Sequence, residues 1–258
     1  ASLVHDFAVT PNWAIFPFMP LITDVENLKR GGTFYEWHPD EQVVVALVKR
    51  GGTREDIRWF RGPAGCLSHM MNAWEEGGTV HLDTCYYDGN CFPFFPTPDG
   101  EHVEGCPPFL SRLSFDTTSD GDGFERRRII NTPGEMPRTD DRYQGRECRH
   151  GFLIVGRGPD GSSAIGRVDL RTGEMTRWHP GPGASVHEPQ FVARYPGAPE
   201  GDGWLLVIVN RLETNLSELA ILDAQDVMAG PVARLYMPMR VRTTFHGTWV
   251  PGERLRTR

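Results

Sequence analysis

The chain has 258 residues, a formal net charge of −7, 24% charged and 39% hydrophobic residues, a balance too apolar for disorder and ample for a core. That acidic charge, with no Lys/Arg-rich run, excludes the electrostatic footprint of a nucleic-acid partner. No stretch of about 18 apolar residues occurs, so no segment reads as a membrane span and membrane attachment is not expected.

Short strands separated by turns dominate the pattern in chain order. Residues 4–10 alternate, Pro11-Asn12 turns the chain, and 13–16 runs back. Further strands are predicted over 33–37, 42–48, 57–60, 70–74, 79–86, 109–115 and 127–130. The series continues over 152–156, 164–169, 175–178, 190–193, 204–210, 218–222, 233–236 and 244–250. Helix signals are scarce. Thr23-Asp24-Val25-Glu26 reads as a capping box, with Gly31 placed to stop a helix of about two turns, and 223–228 reads as a second short helix. Many strands in series with few helices indicate an all-β fold, and repeated strand–turn–strand units favour a β-propeller with loops and short helices capping one face.

Two loops stand out. Residues 88–108 carry Phe92, Phe94, Phe95 and several prolines, which suits either a roof over an apolar tunnel or an ordinary packed cap. Residues 116–125 (DTTSDGDGFE) lack the EF-hand spacing and read as a solvated hairpin tip.

Five cysteines, Cys66, Cys85, Cys91, Cys106 and Cys148, are an odd number without a CxxC pair. They support neither a zinc ribbon nor a secreted disulfide framework, and reduced thiols in a cytoplasmic protein are the expectation. The chain opens Ala-Ser-Leu-Val-His, with no initiator Met and no signal-peptide pattern, so residues before Ala1 are expected to exist.

Of nine histidines, His38, His102 and His179 lie in turn-like contexts, and His81 sits inside a strand as a packed or surface position. His5, His69 and His246 share another context, each expected at or near the start of a strand. They are too far apart in sequence for a compact metal motif, and only a fold that gathers strand starts could bring them to one ion. A packed, hydrogen-bonded histidine is the ordinary alternative for each, and zinc would suit imidazoles as iron does.

The segments HDFAVTPNWAIFPFMPL, HMMNAWEEG, EMPRTDDRYQGRECRHGFL, HEPQFVARYPG and FHGTWVP follow, in order, the signature blocks of the carotenoid cleavage oxygenase superfamily. From Val4 to Pro251 the chain resembles that family, and its bacterial lignostilbene dioxygenases most. The resemblance implies a seven-bladed propeller, of which 1–258 would be the C-terminal portion of one catalytic domain. It implies Fe(2+) held by four histidines, with His5, His69 and His246 as the second, third and fourth; the first would precede Ala1. It also implies that Glu135 and Glu188 accept hydrogen bonds from the imidazoles of His69 and His246. His187 adjoins Glu188, and alternation along a strand sets Glu188 rather than His187 toward the metal. The implied activity is cleavage of a C=C bond by O2 into two carbonyl products. A phenolic stilbene is the leading substrate and a carotenoid or apocarotenoid the alternative. The Tyr and Lys that engage the phenol in that branch would precede Ala1, so no substrate-binding residue is assigned. A non-catalytic propeller module is the alternative of another class, and a homo-oligomer stays open.

Overall fold

The computed structural model describes residues 1–156 and 162–255. The chain divides into two compact units, Ala1–Glu135 with Gln144–Glu147, and Met136–Tyr143 with the chain from Cys148 onward.

The first unit begins with β1 (Ala8–Val9) and β2 (Trp13–Phe18), and a ribbon of β3 (Leu21–Ile22) and β4 (Glu36–Trp37). Then β5 (Val43–Lys49) and β6 (Arg58–Gly62) complete an antiparallel sheet of order β1-β2-β5-β6. Alternation along β5 sends Val43, Val45 and Leu47 to one fully buried face. A second sheet follows from β7 (Cys66–Glu76), β8 (Thr79–Tyr87), β9 (Pro108–Asp116) and β10 (Glu125–Arg128), in the order β10-β9-β8-β7. Gly77 and Gly78 join β7 to β8 with φ of 57° and 87°, the two positive dihedrals that a tight two-residue hairpin requires. Ile15, Phe60, Leu82 and Phe115 fill one core with the β5 face, and the rings of Phe60 and Phe115 meet edge-on at 5.1 Å.

The only α-helix among the described residues, α1 (Val25–Lys29), is shorter than predicted and is capped one residue later. The Asp24 carboxylate, not the Thr23 hydroxyl, accepts from the amides of Glu26 and Asn27, while Gly31 at φ 86° ends the turn. The 88–108 loop packs as a cap: Cys91, Phe92 and Phe95 rest on Met19, Leu21, Trp37 and Cys66, and the Trp37 amide donates to the Pro96 carbonyl at 2.8 Å. The 116–125 segment is an exposed hairpin tip whose first turn closes on the Asp116 carboxylate.

In the chain's second half, β11 (Gly134–Arg138), β12 (His150–Val155), β13 (Ala164–Asp169) and β14 (Met175–Trp178) pair in sequence order. The last sheet is built from β15 (Ala184–Val186), β16 (Gln190–Ala193), β17 (Gly203–Arg211), β18 (Leu216–Asp223) and β19 (Pro231–Tyr236). Its order is β15-β17-β18-β19, with β16 also paired to β17. Phe152, Phe191, Val207 and Leu222 belong to its core, with the rings of Phe152 and Phe191 stacked at 5.7 Å.

The all-β class is as expected, but the sheets are separate and antiparallel, and none closes on itself among the described residues. Several local expectations fail. Of 4–10 only Ala8–Val9 pairs and of 33–37 only Glu36–Trp37, 223–228 yields a single 3-10 turn at Val227–Ala229, and 244–250 forms no strand. The last segment has β-prone residues but no ladder; the Glu188 carboxylate, described below, takes its Gly247 amide instead. No helix among the described residues is long and apolar enough to cross a membrane. The cysteines stand as free thiols, with Cys66, Cys85 and Cys148 buried.

Candidate metal centre

In the first unit His69 projects from β7 at an irregularity. The pairing of β7 with β8 slips between Leu67 and Met70 and again between Met70 and Asn72. Such a bulge frees a strand side chain from strict alternation and re-aims it. The Thr84 hydroxyl donates to the His69 carbonyl at 2.9 Å, so the backbone at the slip keeps a partner. His5 precedes β1 outside any strand, and the next residue fastens it: the Asp6 carboxylate accepts from the Met70 amide and from the Phe7 amide, each at 2.8 Å. The rings of His5 and His69 meet edge-on, with their Nε2 atoms 3.3 Å apart.

Glu135, near the start of β11, orients His69. Its Oε2 lies 2.7 Å from His69 Nδ1, and its Oε1 accepts from the Tyr87 hydroxyl at 3.0 Å and from the Ser68 hydroxyl. Burial and then the Glu135 charge push the Tyr87 phenol and the Cys85 thiol well up, so both stay protonated and Tyr87 remains a donor. Met136, directly after Glu135, holds φ at 55°, a conformation rare for a residue with a side chain and retained only where surroundings over-determine it.

With its proton on Nδ1 and directed at Glu135, His69 presents a lone pair at Nε2. Metal–imidazole bonds of about 2.1 Å place two neighbouring ligand nitrogens of one ion about 3.0–3.4 Å apart. The His5–His69 separation falls in that range, so this pair fits a shared transition metal.

In the second unit His246 carries a matching carboxylate. Glu188 Oε1 lies 3.1 Å from His246 Nδ1, and Oε2 accepts from the Gly247 amide at 2.9 Å. The Glu188 side chain is buried, with the Arg138 guanidinium 3.9 Å away to offset its charge. His246 itself is exposed.

The expected placement at strand starts is corrected: His69 lies within β7, and His5 and His246 lie outside any strand. The Glu188 carboxylate faces His246. His187 instead turns into a buried polar cluster with Asn210 and Thr244. The remaining histidines serve elsewhere. His81 stacks on Trp74 and bonds Ser114, and His150 accepts from Arg167. His102 meets the Pro93 carbonyl, His179 accepts from the Gly181 amide, and His38 lies 3.9 Å from Glu36. Sequence reasoning missed Asp6, Ser68, Tyr87, Thr84 and Arg138; only Asp6 and Ser68 carried a signal, by adjoining His5 and His69.

The family model of retinal pigment epithelial membrane protein, RPE65, matches residues 1–251. Isoeugenol monooxygenase of Pseudomonas nitroreducens is 36% identical over 265 residues, covering 97% of this chain and 55% of that protein. The crystal structure of Pseudomonas brassicacearum lignostilbene dioxygenase superposes with a TM-score of 0.93 at 38% identity, over 98% of this chain and 56% of that one. Cobalt-substituted apocarotenoid oxygenase of Synechocystis superposes with a TM-score of 0.84 at 30% identity, over 96% and 53%. The chain thus spans about half the length of the relatives it matches. With a family model matching nearly its whole length, the chain belongs to the RPE65/carotenoid cleavage oxygenase family.

Proposed function

We propose that this chain is part of an Fe(II)-dependent dioxygenase that cleaves a C=C bond with O2 into two carbonyl products. The observation that carries the reading is the His5–His69 pair, with Nε2 facing Nε2 at 3.3 Å and the outer nitrogen of His69 held by Glu135. His246, held in the same manner by Glu188, is the third proposed ligand. The fold proposed for the complete catalytic domain is the seven-bladed propeller, the four larger sheets here being blades of it.

Bound Fe(II) would supply the open coordination positions and electrons that O2 chemistry requires. The protein's own part is to fix the donors. Glu135 and Glu188 hold a proton on Nδ1 of His69 and His246, which leaves Nε2 as the donor atom and raises its basicity. Asp6 keeps His5 against β7, and Tyr87 and Ser68 donate to the Glu135 carboxylate and keep it aimed. All three proposed ligands are neutral, so an iron site built from them keeps its positive charge, unlike the two-histidine-one-carboxylate arrangement.

The proposed substrate is a phenol bearing a conjugated alkene, of the stilbene type. Isoeugenol and lignostilbene, named in two of the relatives, are both phenols with a conjugated alkene, and lignostilbene is the stilbene of the two. An apocarotenoid is the second reading, favoured by the Synechocystis neighbour. A cytoplasmic enzyme acting on small molecules fits the acidic composition. The deciding experiment loads the full-length protein that contains this chain with Fe(II) and follows O2 uptake and aldehyde release with a hydroxystilbene, isoeugenol and an apocarotenal. Stoichiometric uptake with the hydroxystilbene is expected. No uptake with any of the three would remove the oxygenase reading, and uptake with the apocarotenal alone would replace the substrate.

A further inference from the structure

The segment that bears His246 has no ladder of its own, yet its backbone is tied at several points to one buried cluster. The Val241 amide donates to the Ser217 hydroxyl at 2.8 Å, and that hydroxyl donates to Asn210 Oδ1 at 2.6 Å. Asn210 Nδ2 donates to His187 Nε2 at 2.9 Å, which leaves the imidazole proton on Nδ1, 2.8 Å from the Thr244 hydroxyl oxygen. The Thr244 amide also lies 3.4 Å from Nδ1. His187 is anchored in turn, its own amide donating to the Ile208 carbonyl in β17 at 2.9 Å. Ser217, Asn210 and His187 are 2%, 1% and 5% exposed, whereas Thr244 and His246 are exposed. A rigid interior thus grips a surface segment through one hydroxyl.

The next residue completes the grip. Glu188 takes His246 Nδ1 and the Gly247 amide, so two consecutive residues, His187 and Glu188, hold 244–247 at both ends. We infer that His187 is a positioning residue for His246: through Thr244 it fixes the segment that sets His246 on Glu188, without touching a metal. This inference rests on the ligand role proposed for His246. Burial and the Arg240 charge both lower the His187 pKa, in keeping with a neutral ring that relays a hydrogen bond.

The test uses the metal-free full chain titrated with Co(II), together with amide hydrogen exchange over 243–247. Thr244→Val removes the hydroxyl from an exposed residue of nearly the same size, so the chain should still fold cooperatively. His187→Leu removes both ring nitrogens, and His187→Gln restores a donor and an acceptor. Thr244→Val and His187→Leu should weaken Co(II) binding about 10–100-fold, the usual cost of losing an outer partner of a ligand. They should also speed exchange at Phe245 and Gly247 while β17 keeps its protection, and His187→Gln should recover most of both. Wild-type affinity and wild-type exchange in Thr244→Val would overturn the inference. If the wild-type chain binds no Co(II), the ligand role of His246 fails by itself, and faster exchange in Thr244→Val still establishes the clamp.

Discussion

His5 and His69, distant in sequence, face each other Nε2 to Nε2 at 3.3 Å because the Asp6 carboxylate accepts from the Met70 amide, one residue beyond His69. Asp6 is therefore a tether as much as a charge. Asp6→Ala removes the acceptor and leaves the amide at the β7 irregularity without its carboxylate. A hydrogen bond to a charged group contributes roughly 1.5–3 kcal/mol, so chemical denaturation should show a loss of that order, accompanied by weaker metal binding. Unchanged stability and unchanged affinity would show that His5 is held by other means.

Glu135 serves His69 with one oxygen and Tyr87 and Ser68 with the other. In Glu135→Gln one oxygen becomes an NH2 that cannot accept, and the charge that favours a proton on His69 Nδ1 disappears. Metal affinity should fall about 10–100-fold, read by titration of the metal-free chain. Tyr87→Phe keeps the carboxylate and removes one donor to it, so its effect on affinity should be smaller. A Tyr87→Phe effect as large as that of Glu135→Gln would mean that the Tyr87 hydroxyl's hold on the carboxylate, and not its charge alone, sets the geometry.

Much of this was legible from residues alone, for identifiable reasons. β13, β14 and β16 fall on the expected residues because each is a short run cut off by turn formers. β11 was missed because Gly134 and Pro137 argue against a strand, and β15 because three residues give no period. The 244–250 run failed for the opposite reason: Thr, Phe, Trp and Val favour a strand, but the segment is held through Glu188 rather than by a ladder. At the site, Glu135 and Glu188 were reached through resemblance, not spacing. Tyr87 and Thr84 belong to β8, and only the β7–β8 pairing brings them beside His69 and its carboxylate.

Gly203, the first residue of β17, tests a packing claim. A Cβ there would stand 2.3 Å from the Val192 carbonyl oxygen and 2.6 Å from Phe191 Cζ. The obstacle is backbone of the paired strand β16, which cannot rotate away as a side-chain end could. Gly203→Ala should cost at least about 1–3 kcal/mol and separate β16 from β17, seen as a lower denaturation midpoint and faster exchange at Val192. Gly197→Ala, where nothing lies within 4 Å, is the control and should leave both unchanged.

Acid should weaken the fold in two separate windows, and His150 allows the upper one to be assigned. Burial first, then the Arg167 charge, lowers the His150 pKa from its ordinary 6.5. The Arg167 guanidinium donates to Nδ1 at 3.3 Å, so protonation there would set two donors against each other. The unfolded chain therefore binds a proton more readily than the folded one just below pH 6.5, and stability falls with falling pH. His81 and His187, also lowered chiefly by burial, act in the same sense. Glu75 and Asp169, whose hydrogen bonds lower them, lose their contribution only below the ordinary carboxylate range, while Asp83, raised by burial, acts in the opposite sense above its ordinary value. Melting temperatures of the metal-free chain should accordingly decline on passing from pH 7.5 to 5.0, before Glu75 or Asp169 titrates. His150→Gln keeps an acceptor for Arg167 but cannot be protonated, so its decline over that interval should be shallower than the wild type's. A slope identical to the wild type's would mean that His150 titrates alike in both states, and that its contact with Arg167 does not disfavour the charged ring.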